Sequence, residues 1–226
     1  RFGQLKESAT NNLGIAQETV GLIPMSAKPY HKGHHLQVLH AAKNCDKVIV
    51  LVSLSDRSRN EEVPVLGSTM KIIWQDYLLS CMPENVNVQF VAIPGRSVYE
   101  ILGAANDNLK AGKSCPKFQV YTDASDAEKL FPVTSRSKYF GHLIQKNLVS
   151  FPGITKQNVL PRIASGTQCR EAIAEKIYST FCSMMPEFLN DSDCQAIFIL
   201  LCRDSDFDSQ KSVSSSCVEK ESLNLL

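Results

Sequence analysis

Two histidines flanking a glycine, His31-Lys32-Gly33-His34, are the residues of this 226-residue chain best placed to do chemistry. The apolar run 20–23 before them reads as a short buried strand. A loop carrying Lys28 and Pro29 follows, then an amphipathic helix with Leu36, Val38, Leu39 and Ala42 on its apolar side. Strand, loop and helix start, in that order, make a seat for an anion. The first N–H groups of a helix lack intrahelical partners and carry partial positive charge, so they attract phosphate. Gly33 lets a phosphate approach the backbone closely. Two imidazoles on either side of it can flank the same phosphoryl group while a nucleophile attacks. The ordinary alternative is that His34 caps the helix and His31 is a loop residue. His35 lies outside this spacing, and His40 is expected to face solvent.

A second constellation lies far along the chain, at Ser165-Gly166-Thr167-Gln168-Cys169-Arg170. A hydroxyl and backbone N–H groups at a helix start can take phosphate oxygens. Arg170, one turn in, presents a planar fork suited to a β- or γ-phosphate. Read plainly, Ser165 or Thr167 is an N-cap and Arg170 is exposed. Lys28 can reach a phosphate. So can Arg57 and Arg59 of SLSDRSR and Arg96 of PGRS, since each follows a predicted strand. Asp123 stands at another strand end, where a carboxylate can hold a ribose or an acceptor. Charged loops are more often simply solvated, and these residues carry that reading too.

Pro29-x-His31-x-Gly33-His34 resembles the HxGH signature of the cytidylyltransferase-like nucleotidyltransferase superfamily, and Ser165-Gly166-Thr167-x-x-Arg170 resembles its late Ser-x-Thr-x-x-Arg element. The region from about 20 to about 202 is further similar to nucleotidyltransferase-like proteins of tailed phages, through MSAKPYHKGHH, SLSDRSR, Ile73-Trp74, VYEIL, YTDASD and SGTQCR. The resemblance implies a Rossmann-like fold. It also implies transfer of a nucleoside monophosphate, adenylyl ahead of cytidylyl, from a nucleoside triphosphate to a phosphorylated small-molecule acceptor, with Mg2+ bound to the triphosphate. His31, His34 and Arg170 would be catalytic. Lys28, Gly33, Ser165, Gly166 and Thr167 would bind nucleotide, while Arg57, Arg59, Arg96 and Asp123 would contact acceptor or phosphate. No residue is assigned as a metal ligand of the protein itself. The glycine that several relatives place two residues before the aspartate is absent ahead of Asp123.

The rest of the chain must position these groups. The β-branched run 47–53 predicts a central strand buried on both faces, and 86–93 and 118–122 predict two more. Ser68 is expected to cap a helix running to about Cys81 and burying Ile72, Ile73, Trp74, Tyr77 and Leu78. Helices are expected over 98–110 and 126–131, a helical turn around Tyr139–Ile144, strands over 148–151 and 158–163, one helix over 167–180 with Ile177 inward, and closing helical segments over 181–188 and 194–202. Alternating strands and helices predict an α/β fold: a doubly wound parallel sheet with helices on both faces, here with a small C-terminal helical extension. In such sheets ligands sit beyond the carboxyl ends of the strands. The expected organisation is a flexible lead-in over 1–19, the nucleotidyltransferase domain over 20–203 and a Ser-rich disordered tail over 204–226.

Composition sets limits. Hydrophobic content of 43% and charge of 21% are those of a soluble globular protein, and a net charge of +1 gives no field for nonspecific nucleic-acid binding. No apolar run is long enough to span a bilayer. Eight cysteines include no C-x-x-C pair, so a zinc ribbon is not expected, and a reducing, cytoplasmic setting is, in host cytoplasm or virion if the protein is viral. The expected partners are a nucleoside triphosphate (ATP or CTP) and the phosphorylated acceptor, with an oligomeric or virion partner left open. The competing reading is a nucleotide-binding structural or virion-associated protein that keeps the fold without turnover. Thiol titration of the denatured, unreduced protein should find most of its cysteines free; four bridges would refute the reducing assignment.

Overall fold

The computed structural model describes residues 17–59, 62–152 and 163–204. Five strands form one parallel sheet in the order β3-β2-β1-β4-β5. These are β1 (Thr19–Met25), β2 (Lys47–Ser53), β3 (Val86–Val91), β4 (Lys117–Val120) and β5 (Val149–Ser150). The chain steps outward from β1 to β3, then returns to the other side of β1 for β4 and β5. The topological switch therefore lies between β1 and β4, where Leu22 is paired with Ile49 on one side and Val120 on the other. This is the doubly wound, Rossmann-like α/β fold expected from the alternation of elements.

Both faces of the central strands are buried, and successive residues supply opposite layers. Ile23 and Val50 join one core with Val38, Trp74, Phe181 and Ile197. Leu22 and Leu51 join the other with Val98, Leu102, Phe118 and Phe140. The first layer holds α1 (Lys32–Asn44), α2 (Gly67–Ile73), α6 (Gly166–Ala174), α7 (Tyr178–Ser183) and a helix over 191–204, here α8. The second holds α3 (Pro94–Lys110) and α5 (Val133–Gln145), with α4 (Ala124–Leu130) between β4 and α5. Among the described residues no helix is long and apolar enough to cross a membrane. Cys45, Cys81, Cys115, Cys169, Cys182, Cys194 and Cys202 are free.

Several expectations about local structure need correction. α2 begins at Gly67, with Leu66 in the capping position and no cap from its own side chain, so Ser68 is not the N-cap. Carboxylates from elsewhere do that work. Asp56 accepts from the Gly67 N–H at 2.7 Å, and Asp204 accepts from the Leu66 N–H at 2.9 Å and the Thr69 hydroxyl at 2.7 Å. Asp204, assigned to the tail from sequence, is buried. Ile72 is exposed because it lies off the i, i+3, i+4 stripe made by Met70, Ile73 and Trp74. After Ile73 the helix widens to a π-helical turn over Trp74–Leu78 and tightens to a 3₁₀ turn over Leu79–Cys81. The expected loop 94–97 is instead the first turn of α3, entered through Pro94, whose missing N–H costs nothing there.

The single helix expected over 167–180 is two. Lys176 takes a left-handed φ of 55°, its N–H donates to Ile173 and the Ile177 N–H donates to Ala172 at 2.8 Å. This is a Schellman stop with lysine where glycine is usual, and it turns Ile177 outward. The strand expected over 158–163 lies outside the described residues except for Ile163, and the lead-in and tail lie outside them except for 17–19 and Asp204. Gly67 has no substitute: a Cβ there would run into the Leu54 carbonyl.

Replacing Asp204 by alanine should lower unfolding free energy by about 1–2 kcal/mol, the cost of a lost helix cap. Urea denaturation of the two proteins measures it, and an unchanged midpoint would refute the capping role.

Candidate functional site

The carboxyl ends of the strands open into one cleft of about 1750 Å3. Ordinary single-ligand pockets occupy roughly 300–1,000 Å3, and this open cleft is larger. His31, Gly33 and His34 enter it from α1, Ser53, Arg57 and Arg59 from the end of β2, and Arg96 from α3. Tyr121, Thr122 and Asp123 enter from the end of β4, and Ala164, Ser165 and Gly166 from the start of α6. The switch between β1 and β4 thus gathers groups separated by more than a hundred residues of sequence.

His31 is itself the cap of α1. Its Nδ1 accepts from the Gly33 N–H at 3.1 Å, so in the neutral ring the proton sits on Nε2. The Lys32 N–H is taken by the Met184 carbonyl at 2.9 Å. Two of the first N–H groups of α1 are therefore already occupied, and the imidazoles carry more of the donor capacity than the bare helix terminus does. The His34 ring stacks on His31 at 3.9 Å and on Tyr30 at 5.6 Å. Burial, reinforced by the charge of His31, holds its pKa well below 6.5, so at neutral pH it is an uncharged donor. Gly33 is explained by this stack rather than by phosphate approach alone. A Cβ would lie 3.0 Å from His31 Cε1 and 3.4 Å from the Ala164 carbonyl oxygen.

Ser165 is the N-cap of α6: its hydroxyl oxygen accepts from the Gln168 N–H at 3.2 Å and its O–H donates to Gln168 Oε1 at 3.0 Å. Its side chain also borders the cleft, as does Gly166. Thr167 is exposed and does not line the cleft; its Oγ1 accepts from Arg170. Arg170 does not line the cleft either. It is buried behind Gly166, with Nη1 donating to the Lys28 carbonyl at 2.8 Å, Nη2 donating to Thr167 Oγ1 at 3.1 Å and Nε 3.2 Å from a Glu62 carboxylate oxygen. The plain reading of an exposed Arg170 does not hold. The Lys28 ammonium is buried without a hydrogen-bond partner among the described residues, beside a small polar pocket of about 190 Å3 that it shares with Ser26, Ser55, Asp56, Arg57 and Arg59. Burial lowers its pKa, against the pull of Asp56 and Asp204.

Arg96 is exposed and paired with Glu100 at 2.9 Å. Asp123 caps α4, its Oδ1 accepting from the Asp126 N–H at 2.8 Å. Sequence reasoning missed three things. His40 does not face solvent: it lines the cleft edge-on to Tyr121, with ring centroids 5.8 Å apart. Tyr99 and Tyr139 form part of the far wall and pack edge-on at 5.5 Å. Glu62 sits between Arg57 and Arg170. Burial works to raise its carboxyl, but the hydrogen bond from Arg57 and the charges of Arg170, Arg57 and Arg59 outweigh that and hold it below the usual range. The signal for Glu62 was present in the loop itself, where two acids follow two arginines.

No family model matches this chain, and no curated protein matches it. Among solved structures it is similar to a bifunctional NMN adenylyltransferase/ADP ribose pyrophosphatase of Francisella tularensis complexed with AMP and a Mn ion. That likeness has 14% identity and a TM-score of 0.49, over 88% of this chain and 56% of that one. It is also similar to Thermotoga maritima TmcAL bound with alpha-thio ATP, at 15% identity and a TM-score of 0.43, over 83% of this chain and 55% of that one. The chain thus spans little more than half the length of these proteins, and no residue's role is carried over from either.

A pH dependence follows from His34. Folded, it binds its proton only well below 6.5, whereas the unfolded chain binds one near 6.5. The unfolded state therefore holds more protons below that value, and stability must fall as pH falls through it, by up to about 1.4 kcal/mol per pH unit for each proton. His35, whose pKa burial also lowers, adds in the same direction. Denaturation midpoints between pH 7.5 and 5.5 should drop, and His34→Gln should flatten the drop. An unchanged slope in the variant would refute the assignment.

Proposed function

We propose that this protein is a nucleotidyltransferase. It moves a nucleoside monophosphate, adenylyl ahead of cytidylyl, from a nucleoside triphosphate to a phosphorylated small-molecule acceptor and releases pyrophosphate. The observation that carries this reading is the His31–His34 stack at the start of α1, facing the same strand-end cleft as the Ser165-Gly166 start of α6. An acceptor phosphate oxygen attacks the α-phosphorus, the bond from that phosphorus to the bridging oxygen breaks, and pyrophosphate leaves with the electron pair. Alignment and donors toward the developing negative charge are what such a step asks of a protein.

His31 Nε2–H and the uncharged His34 supply those donors at the α-phosphate. Ser165 and Gly166 hold the nucleotide from α6, Thr167 acts behind them by holding Arg170, and Lys28 neutralises phosphate charge from beneath. Arg57, Arg59 and Arg170 take the outer phosphates or the acceptor phosphate, and Arg96 and Asp123 border the acceptor side. Mg2+ enters as part of the nucleotide substrate. An ion of that kind is held largely by the phosphates and water.

Thermal shift with ATP, CTP, GTP and UTP in the presence of magnesium should pick out one preferred nucleotide. With that nucleotide and a panel of phosphorylated acceptors, His34→Ala should cut pyrophosphate release by about a hundredfold to a thousandfold, the worth of one donor aimed at the transition state. Its nucleotide affinity should change far less. Binding without pyrophosphate release from any acceptor would favour the structural reading. A folded protein that binds no nucleotide would end the assignment.

A further inference from the structure

Two arginines from distant parts of the chain share one anion. Glu62 Oε2 lies 3.0 Å from Arg57 Nε, 2.8 Å from Arg57 Nη2 and 3.2 Å from Arg170 Nε, and Oε1 accepts from Arg57 Nη2 at 3.2 Å. One oxygen bridging two guanidinium groups, with a second oxygen completing a fork, is also the way a phosphate is held by an arginine pair. We infer that Glu62 is a displaceable internal anion, its carboxylate holding the seat between Arg57 and Arg170 that an outer phosphate of the nucleotide takes in the loaded protein. The inference rests on the nucleotidyltransferase reading for the identity of the ligand. The seat itself rests on the geometry.

The two sides of this contact are anchored unequally. Arg170 has a side-chain exposure of 6% and keeps its bonds to the Lys28 carbonyl and Thr167 whatever Glu62 does. Arg57 is fixed through its backbone, which exchanges hydrogen bonds of 3.0 and 2.9 Å with Val65. Glu62 is held less tightly, with 31% side-chain exposure and, among the described residues, a turn bond of 3.1 Å from its N–H to the Arg59 carbonyl. The carboxylate can swing out without opening the core, and the arginines stay where they are. Arg57 borders both the main cleft and the small pocket over Lys28, so an anion replacing Glu62 would join the cleft to the buried ammonium. While it holds the seat, Glu62 also keeps two neighbouring positive charges neutralised, one of them buried, which would otherwise repel each other. A ligand must then compete with a tethered anion, and its apparent affinity falls by the fraction of time the seat is free.

The test is calorimetric titration of the full chain with MgATP and, separately, with inorganic pyrophosphate, comparing the unmutated protein, Glu62→Gln and Glu187→Gln. The last removes the same charge at an exposed position on another part of the surface. Glu62→Gln should bind both ligands about tenfold or more tightly, the gain for a seat otherwise occupied at least nine-tenths of the time. Glu187→Gln should bind as the unmutated protein does. Equal or weaker binding by Glu62→Gln, where the unmutated protein binds MgATP, would make Glu62 a structural brace; it would overturn this inference and leave the proposed function standing. Tighter binding of pyrophosphate with no binding of nucleotide would uphold the seat and remove the proposed function. Folded proteins that bind neither ligand would remove both. Should Glu62→Gln not fold, titrating the unmutated protein with pyrophosphate and following the Arg57 and Arg170 Nε–H resonances decides the matter: the two must shift together, and unmoved resonances overturn the inference.

Discussion

A guanidinium group cannot be buried without partners, and the arrangement of this site follows from how Arg170 meets that demand. Nη1 and Nη2 each donate one hydrogen bond, while Nε, without a hydrogen-bond partner among the described residues, has a carboxylate oxygen 3.2 Å away; these three neighbours come from three places. The Lys28 carbonyl comes from the loop after β1, the Thr167 hydroxyl from the same helix, and the Glu62 carboxylate from the loop after β2. The bond to Lys28 joins residues 142 apart in sequence. It therefore locks the start of α6 against the loop that delivers His31 and His34. Neither motif could hold its position alone: α6 is short, and the loop before α1 turns through Ala27 at a left-handed φ of 50°, a conformation that costs an L-residue roughly 1–2 kcal/mol.

The parallel sheet makes this crosslink possible. Because all five strands point the same way, each βα connection leaves from the same edge, and the reversal between β1 and β4 opens a crevice there. The loop after β1 and the start of α6 meet beside that crevice. The polar groups that face it are each held by a bond within the fold: His31 by its bond from Gly33, Ser165 by Gln168, and the Asp123 carboxylate by the Asp126 N–H. Each capping bond fixes a side chain's direction. A group fixed in this way loses little freedom when a ligand arrives, which is what preorganisation means in energetic terms.

How much of this was legible in the sequence depended on how local the cause was. β2 was read to the residue because a β-branched run buried on both faces needs no information beyond itself. The parallel direction of the strands and the gathering of strand-end loops followed from alternation and handedness, which are general rules, whereas the order β3-β2-β1-β4-β5 came only from the structure. The errors share a different cause, which is distance. Ser68 looked like a cap because it is the nearest hydroxyl, whereas the carboxylates that bind the start of α2 come from Asp56 and Asp204. The stop at Lys176 was invisible because the left-handed position carries no glycine. Arg170 read as an exposed fork because nothing near it in sequence suggests that the Lys28 carbonyl and Glu62 surround it.

The same distinction separates two kinds of polar residue here. His31 and Ser165 are expected from sequence to be ligand groups, with a plain loop residue as the alternative for His31 and an N-cap for Ser165; in the structure both are caps that also border the cleft, and the cap of α1 is His31 rather than His34. The two readings are not alternatives once geometry is considered. An imidazole that accepts at Nδ1 is obliged to present Nε2–H elsewhere, and a serine that caps from the cleft rim brings the first residues of its helix to that rim. Capping is the means by which the fold aims these groups. Arg170 shows the limit of the principle, because its bonds to Lys28, Thr167 and Glu62 turn it away from the cleft and toward the loop after β2. Of those three partners Glu62 is the one anion, and its place is the one a phosphate can take.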